Sequence, residues 1–314
     1  MKTLVISAVL TASAALPAVA GTLTNSTGYG LSGDGMTLTV IGSLGSPMTS
    51  STIALDTKLD AIAYRPVTGK LYGYANGVGG AQDVVYVIDT MTGMTTSAGA
   101  AFDTDANVPA GAKVGFDFNN QIDAARVVST QNDNLVFFPD TFAGPNNNTV
   151  KRFTALNYAA ADVNFGLESA VFANAYTNAI NGMVATTTAQ FALDAGTDSL
   201  VTLANNAGTL ATVAKITLGG AALDFSEFGG FDIISPMEGD NTAVALLNVG
   251  GMSGLYEIDL TTGAATMFAD FGASTYTGFA ASYAPPAVPL PASALLLLAG
   301  IGGFAGLKQL RRRA

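Results

Sequence analysis

The residues of this chain that could carry out chemistry are carboxylates, because histidine and cysteine are both absent. A Ser-His-Asp or Cys-His mechanism needs an imidazole as base, and zinc sites draw on the same two missing residue types. Two carboxylates can hydrolyse a glycosidic bond when they flank the sugar and one has a raised pKa. Six carboxylates, at the ends of predicted inner strands or between repeats, are candidates for that role: Asp60, Asp117, Glu168, Glu227, Asp232 and Glu238.

A repeated pattern favours a structural role for three of these carboxylates. Gly-Phe-Asp occurs at 115–117 and 230–232, and Asp60 begins a similar segment. A hydrogen bond to a neighbouring strand would recur in each repeat, whereas a catalytic pair has no reason to. We therefore expect no catalytic residue and keep a carboxylate-based glycosidase as the alternative. Arg65 and Arg126, which lie near these segments, are expected to pair with the repeated aspartates.

Five short apolar segments recur along the chain at intervals of about 50 residues. A second set, at 86–93, 191–198 and 256–263, has the pattern of a strand, an Asp-containing turn and a Thr-rich strand. A unit of several strands cannot bury both faces alone, so neighbouring units must stack, as propeller blades do. When the five apolar segments of the first set are aligned, these residues fall at the same position: Ile62, Phe116, Ala175, Phe231 and Phe279.

The fold class predicted from these repeats is all-β, a β-propeller over residues 21–287 with five blades. The N-terminal segment 37–44 resembles a late strand of a blade and is expected to complete the last blade, which begins at 277–283. Closing the ring in this way removes exposed sheet edges. Six blades or an irregular β-sandwich are the alternatives.

Composition narrows the classes of partner. Between residues 21 and 287 the chain has eight Lys and Arg against 23 Asp and Glu, a net charge of about −15, which excludes nucleic acid as a partner. The segment 103–107 alternates oxygen ligands as a calcium loop does, but Val108 and Val114 stand where the turn Gly and the bidentate Glu are needed. We expect a solvated acidic loop there, no cofactor and no metal site, with weak Ca²⁺ binding elsewhere left open.

The N-terminus has the three parts of a secretory signal peptide. Met1-Lys2 is followed by an apolar run over 3–16 and by the small residues Ala18 and Ala20 of a cleavage site. Residues 1–20 are therefore predicted to be removed by signal peptidase after Ala20. Since no cysteine follows the site, a lipoprotein anchor is excluded.

The C-terminus combines a proline-rich motif, an apolar stretch and a basic cluster. Residues 292–307 would form about 24 Å of helix at ~1.5 Å per residue, and flanking residues can extend it to a transmembrane helix over 292–310. The positive-inside rule places the arginines in the cytoplasm and the main domain outside. The motif is Val288, Pro289, Leu290, Pro291 and Ala292, and the basic stop cluster is Lys308, Arg311, Arg312 and Arg313.

This order of parts over 288–314 resembles the VPLPA-type variant of the PEP-CTERM sorting tail, which exosortases recognise. The resemblance implies that the helix holds the protein in the membrane only until an exosortase-type enzyme cuts near 288–292. The protein would then pass to the cell surface or the extracellular space. A permanently membrane-anchored scaffold is the alternative.

The central domain is similar to the domain-of-unknown-function family numbered 4394. The resemblance rests on LDAIAYRPVTGKLYGYA (59–75), VGFDFNNQIDAARVVSTQNDNL (114–135), NAYTNAINGM (174–183), GTL (208–210), GGFDI (229–233) and LYEIDLTTGAAT (255–266). Two departures are Asn119, where a Pro is usual, and an extra Ala between Asp123 and Arg126. The family implies a propeller-like fold and no activity. We therefore expect an exported surface or matrix protein with a non-catalytic binding or structural role, whose partner is a glycan or another extracellular polymer.

Overall fold

The computed structural model describes residues 18–77 and 79–284, and these residues are almost wholly β-structure. The first part of the chain holds one short helix and three strands: α1 (Ala18–Thr24), β1 (Ser26–Ser32), β2 (Thr37–Ile41) and β3 (Ser50–Ala54).

Four groups of strands follow in chain order. The first is β4 (Ala61–Arg65), β5 (Lys70–Ala75), β6 (Val84–Ile88) and β7 (Thr95–Ser97). The second is β8 (Ala101–Phe102), β9 (Val114–Asn119), β10 (Ala124–Ser129), β11 (Asn134–Phe138) and β12 (Thr149–Arg152). The third is β13 (Asn157–Tyr158), β14 (Val171–Tyr176), β15 (Gln190–Asp194), β16 (Ser199–Ala204), a 3-10 turn (Asn205–Ala207) and β17 (Thr209–Lys215). The last is β18 (Thr217–Leu218), β19 (Ala221–Ala222), β20 (Gly229–Met237), β21 (Asp240–Val249), β22 (Met252–Ile258), β23 (Ala264–Asp270) and β24 (Tyr276–Tyr283).

Within the described ranges these strands make five sheets around one axis. Blade 1 is β4–β7, blade 2 is β9–β12 with β8, blade 3 is β14–β17 with β13, blade 4 is β20–β23 with β18 and β19, and blade 5 is β24 with β1–β3. The inner strands β4, β9, β14, β20 and β24 pack in that order, and β24 packs against β4, so the ring closes. The predicted five-bladed propeller is confirmed.

Blade 5 is built from both ends of the domain. Strand β1 pairs antiparallel with β24, placing Ser26 opposite Tyr283, and with β2, placing Gly28 opposite Ile41. The prediction that segment 37–44 completes the last blade is confirmed, since it contains β2. The intervening strand β1 was not predicted, because its sequence Ser-Thr-Gly-Tyr-Gly-Leu-Ser is too polar and glycine-rich to give an apolar alternation.

The glycines of the repeated motif allow the inner strands to converge at the axis. A Cβ on Gly230 would lie 2.2 Å from the backbone nitrogen of Phe279, and one on Gly115 would lie 2.7 Å from the Cα of Ala173. The second contact also fixes the register of blade 3: Asn174, not Ala175, corresponds to Phe116. The predicted alignment is one residue wrong in this blade, where the segment lacks the Gly-Phe-Asp motif that marks the position in blades 2 and 4.

The predicted turns of the second repeat set are formed in blades 1 and 4. Asp89 Oδ1 accepts the backbone N–H of Met91 at 2.8 Å and Gly93 has a φ of 77°; Asp259 and Gly263 repeat this arrangement. The segment 191–198 differs, since it lies on the second strand of blade 3 rather than the third. A long loop, 177–189, separates β14 from β15 and shifts the segment along the blade.

That loop closes one face of the ring. We call the face where the inner strands begin the front face and the face where they end the back face. On the back face, loop 177–189 exchanges hydrogen bonds with all four other blades of the described ring. Its partners are Pro66 of blade 1, Asn120 of blade 2, Ser235 and Asn241 of blade 4, and Tyr283 of blade 5. The stretch NAYTNAINGM thus leads from an inner strand into a cap over the back of the axis.

Neighbouring blades pack through apolar side chains. Between blades 1 and 2, the rings of Tyr72 and Phe118 meet edge to face with centroids 5.1 Å apart, and Tyr74 packs on Phe116 at 5.9 Å. Burial of such rings is a main source of stability in a fold without disulfides. The closed ring therefore holds the loops of its front face on apolar clusters packed between the blades.

The predicted sorting signals fall largely outside the described residues. Ala18 and Ala20, the predicted cleavage residues, lie in α1, whereas the rest of the signal peptide and the whole segment 288–314, with its sorting motif, helix 292–310 and basic cluster, lie beyond the described ranges. No helix within those ranges is long and apolar enough to cross a membrane.

Candidate functional site

A cavity of about 510 Å³ opens on the front face between blades 5, 1 and 2. Its walls come from the segments that lead into β4 and β9, the loop between β5 and β6, and the start of β24. Because these segments are far apart in sequence, only closure of the ring assembles them. The polar side chains among its described lining residues are Thr57, Lys58, Asp60, Asn76, Gln82, Tyr86, Lys113 and Thr277.

Asp60 is the one carboxylate among the described residues that line the cavity. Its Oδ2 accepts the backbone N–H of Asn76 at 2.8 Å, which holds the β5–β6 loop against the start of β4. Its Oδ1 lies 3.8 Å from Lys58 Nζ, and the Lys58 side chain is 61% exposed. A pair this long and this exposed is weak, so both groups can also bind a ligand.

Asn76 presents an acceptor that has no partner. Its Oδ1 is buried and receives no hydrogen bond within the described part of the chain. Leaving a buried acceptor unpaired costs about 1–3 kcal/mol. Asn76 lines the cavity, but this oxygen has almost no accessible surface.

Asp83 makes the wall beside Asn76 rigid. The carboxylate of this buried residue accepts N–H groups from Gly77 and Val108, at 2.8 and 2.7 Å, and the hydroxyl of Tyr74 at 2.5 Å. Burial, followed by the negative charge of Asp83, raises the pKa of Tyr74 well above its usual value, so its hydroxyl remains a donor. These bonds join blades 1 and 2 behind the cavity.

Lys113, just before β9, also lines the cavity. Its Nζ lies 4.1 Å from the ring centroid of Phe228, which precedes the inner strand of blade 4. This is a cation–π contact, which leaves the ammonium N–H groups free to donate elsewhere. No carboxylate within the described residues forms an ion pair with Lys113.

The repeated aspartates at 117 and 232 lie at the axis rather than in the cavity. Asp117 accepts the N–H of Tyr176 at 2.8 Å, and Asp232 accepts the N–H groups of Ala281 at 2.6 Å and Ile233 at 2.7 Å. The predicted hydrogen bond from each motif aspartate to a neighbouring strand is therefore confirmed at both positions.

Burial is the main cause that raises the pKa of both axial carboxyls. For Asp117 the negative charge of Asp232 adds to the shift, and the backbone N–H groups oppose it in both cases. The axial space beside them is only about 10 Å³, enough for roughly one water molecule. Asn174 also lines it, with both amide atoms buried and unpaired within the described chain. A substrate does not fit there.

The remaining candidate carboxylates do not form a pair across the cavity. Glu168 accepts a hydrogen bond from Asn132 at 3.0 Å, and Glu238 accepts N–H groups of loop 177–189 on the back face. Glu227 is half-buried before β20. None of these three lines the cavity in the described structure.

The two arginines bind partners other than those predicted. Arg65 forms a bidentate pair with Asp123, with Nε 2.8 Å from Oδ1, and also donates to Tyr72 and Thr141. The β9–β10 turn carries Asp123 to the end of β4, closer than any repeated aspartate. Arg126 donates instead to side-chain amides: Asn134 at 2.7 Å, Asn206 at 3.0 Å and Asn205 at 3.5 Å. The predicted pairing with repeated aspartates is wrong.

The acidic loop 103–107 is held more firmly than predicted. Lys151 pairs with Asp103 at 3.3 Å, Arg152 donates to the carbonyl of Asp105 at 2.6 Å, and Ala106 is buried. Among the described residues, no group of three or more Asp, Glu, His or Cys side chains is placed to hold a metal ion. Asn107 Oδ1 also accepts the backbone N–H of Asp83 at 3.1 Å, so the loop joins blade 2 to blade 1.

These features define a closed five-bladed β-propeller with a polar cavity on its front face. Over residues 39–280 the chain matches the family described as Domain of unknown function (DUF4394), and it belongs to that family. No curated protein matches it.

Several solved structures are similar in fold. A Bacteroides thetaiotaomicron protein of unknown function is 14% identical over 81% of this chain and 58% of its own, with a TM-score of 0.49, so this chain spans less than two thirds of that protein. TolB from Acinetobacter baumannii is 12% identical over 83% and 67%, with a TM-score of 0.41. A chain of a nidogen/laminin complex is 9% identical over 82% and 98%, with a TM-score of 0.42.

Proposed function

We propose that this chain is an exported, non-catalytic binding protein of the bacterial cell surface or extracellular matrix, and that its front-face cavity binds a glycan or another extracellular polymer. The observation that carries the proposal is the cavity itself. It is large enough for one or two sugar residues and open to solvent, and the carboxylate of Asp60 lies in its wall. Donors such as sugar hydroxyls complement that carboxylate.

The distribution of carboxylates supports a binding role over hydrolysis. Both inverting and retaining glycosidases need two carboxyl groups, about 5–10 Å apart, across the bond that breaks. Within the described lining, Asp60 has no second carboxylate facing it, and Asp117 and Asp232 are buried in hydrogen bonds between blades.

Export and processing are proposed from the two ends of the sequence. Signal peptidase would remove residues 1–20, and an exosortase-type enzyme would cut near 288–292 after the apolar tail has held the chain in the membrane. Ala284, the last described residue, donates its N–H to Asn25 on the back face, opposite the cavity. The sorting tail follows from there in the sequence.

Binding is tested with the mature protein and immobilised polysaccharides. Ala110 is exposed at the rim of the cavity, so Ala110→Trp should obstruct it and weaken retention at least tenfold. Ala221→Trp makes the same change at an exposed site on the edge of blade 4 and should bind as the unmodified protein does. If both variants are retained equally, the binding site lies outside this cavity. If the unmodified protein is not retained, the binding role is overturned.

Processing is tested by intact-mass measurement of the protein recovered from cells. The proposal expects a chain that begins at Gly21 and ends near residues 288–292, and a variant with Pro289 and Pro291 replaced by Ala should keep its tail. A recovered mass that includes residues 292–314 in the unmodified protein would establish the permanently anchored scaffold instead.

A further inference from the structure

We propose that the cavity selects saccharides that carry carboxylate groups, and that Lys58 and Lys113 bind those carboxylates. This rests on the proposed function and names the class of ligand that the cavity takes. Both lysines lie at its wall, next to groups that recognise hydroxyls. A polymer of uronic acids presents both kinds of group on each sugar.

Positive charge that is not held by a short ion pair is concentrated at the cavity. The domain has eight Lys and Arg against 23 Asp and Glu, so most of its surface repels anions. Ion pairs hold Arg65, Lys151 and Arg152, while hydrogen bonds to amides or carbonyls hold Arg126 and Lys215. Of the remaining three cations, Lys58 and Lys113 both line this one cavity.

Neither cavity lysine is held by a short ion pair within the described residues. Lys58 is largely exposed and 3.8 Å from Asp60, and Lys113 rests on the ring of Phe228. A ligand carboxylate can take N–H donors from each without breaking a strong ion pair. Hydrogen bonds that involve a charged group are about twice as strong as neutral ones.

An acceptor in the same wall favours a hydroxylated ligand over a simple anion. The Asp60 carboxylate can accept further donors, and phosphate or sulfate at neutral pH offers few or none. A saccharide that carries both carboxylates and hydroxyls can satisfy the lysines and Asp60 together. Tyr86, half-buried in the wall, adds an aromatic surface beside them.

The experiment measures binding of the full mature protein to polygalacturonate, a uronic acid polymer, and to dextran, a neutral one, at low and high salt. Polygalacturonate should bind at least tenfold more tightly at low salt, with the difference shrinking as salt screens the charges. Lys58→Gln and Lys113→Gln should each weaken polygalacturonate binding about tenfold. Lys70→Gln removes the same charge from an exposed residue outside the cavity and should leave binding unchanged.

Dextran sulfate separates charge alone from carboxylate recognition. If dextran binds as tightly as polygalacturonate and Ala110→Trp blocks that binding, the carboxylate preference is overturned. The proposed function then stays intact. If dextran sulfate binds as tightly as polygalacturonate, the protein attracts anions in general and the inference is overturned. Equal loss of binding in Lys58→Gln and Lys70→Gln would lead to the same conclusion. Failure of every polymer to bind would remove the proposed function and the inference with it.

Discussion

Buried carboxyls at the axis connect the ionisation of single side chains to the stability of the ring. Asp117 and Asp232 each accept a backbone N–H from the next blade in the direction of the chain. A carboxyl can accept these bonds in either protonation state, but burial favours the neutral form. The inner strands are therefore held by groups that keep a proton at a higher pH than an exposed carboxyl does.

The pH dependence of stability should reveal the buried proton on Asp232. Because burial raises its pKa above the unfolded value of about 4, the folded state holds the proton more tightly, and stability is lost as the pH rises from about 4 through the raised pKa. The side chain of Asp232→Asn does not titrate, so this variant serves as the reference. The free energy of unfolding of the unmodified protein, minus that of the variant, should fall as the pH rises from 4.5 to 8. The slope should be on the order of 1 kcal/mol per pH unit.

Urea unfolding at several pH values measures this difference. Asp105→Asn, at an exposed position, serves as the control and should follow the unmodified protein. A constant difference between the unmodified protein and Asp232→Asn over the whole range would contradict a buried proton at Asp232.

At the scale of elements, the inner strands explain the repeated sequence. In blades 2 and 4, glycine lets the strand approach its neighbour, the following Phe is buried in the apolar clusters, and Asp accepts an N–H across the gap. The motif was recognisable from the sequence because these two blades keep all three of its residues. Arg65 was assigned the wrong partner because its true partner, Asp123, is delivered by a turn whose position no periodicity records.

Substitution of Gly230 tests the convergence of the strands. In Gly230→Ala the new Cβ would meet the backbone nitrogen of Phe279 at 2.2 Å, and a backbone atom of a central strand cannot move aside freely. We expect a loss of about 3 kcal/mol or more in the free energy of unfolding. Gly42→Ala, where a Cβ has no neighbour within 4 Å, should change it by less than about 0.5 kcal/mol. Similar unfolding midpoints for both variants would show that the strands can separate at little cost.

At the scale of the whole molecule, the ring was predictable and the cavity was not. Repeats at about 50-residue intervals indicated stacked blades, and the strand-like segment at 37–44 indicated closure through the N-terminus. The cavity combines Lys58, Asn76 and Lys113 from segments that resemble ordinary loops in the sequence. Their proximity depends on how the blades pack around the axis, which no local pattern contains.

Removal of β24 should abolish the folded state. A chain that ends at Ser274 lacks the strand that pairs with β1 and packs against β4 and β20. Circular dichroism and size-exclusion chromatography should show loss of cooperative unfolding and an expanded chain, whereas a chain that ends at Ala284 should unfold cooperatively. Cooperative unfolding of the shorter chain at the same temperature would mean that four blades suffice.

The pairing of β1 with β24 also sets an order of events during synthesis. Ribosomes synthesise the chain from its N-terminus, so β1–β3 are made early and their partner strand follows more than 240 residues later. Contacts between such distant residues form slowly, and until they form the edge of β1 is open to pairing with other chains. The newly made protein thus passes through an interval in which it is prone to association, and the interval ends when β24 pairs with β1.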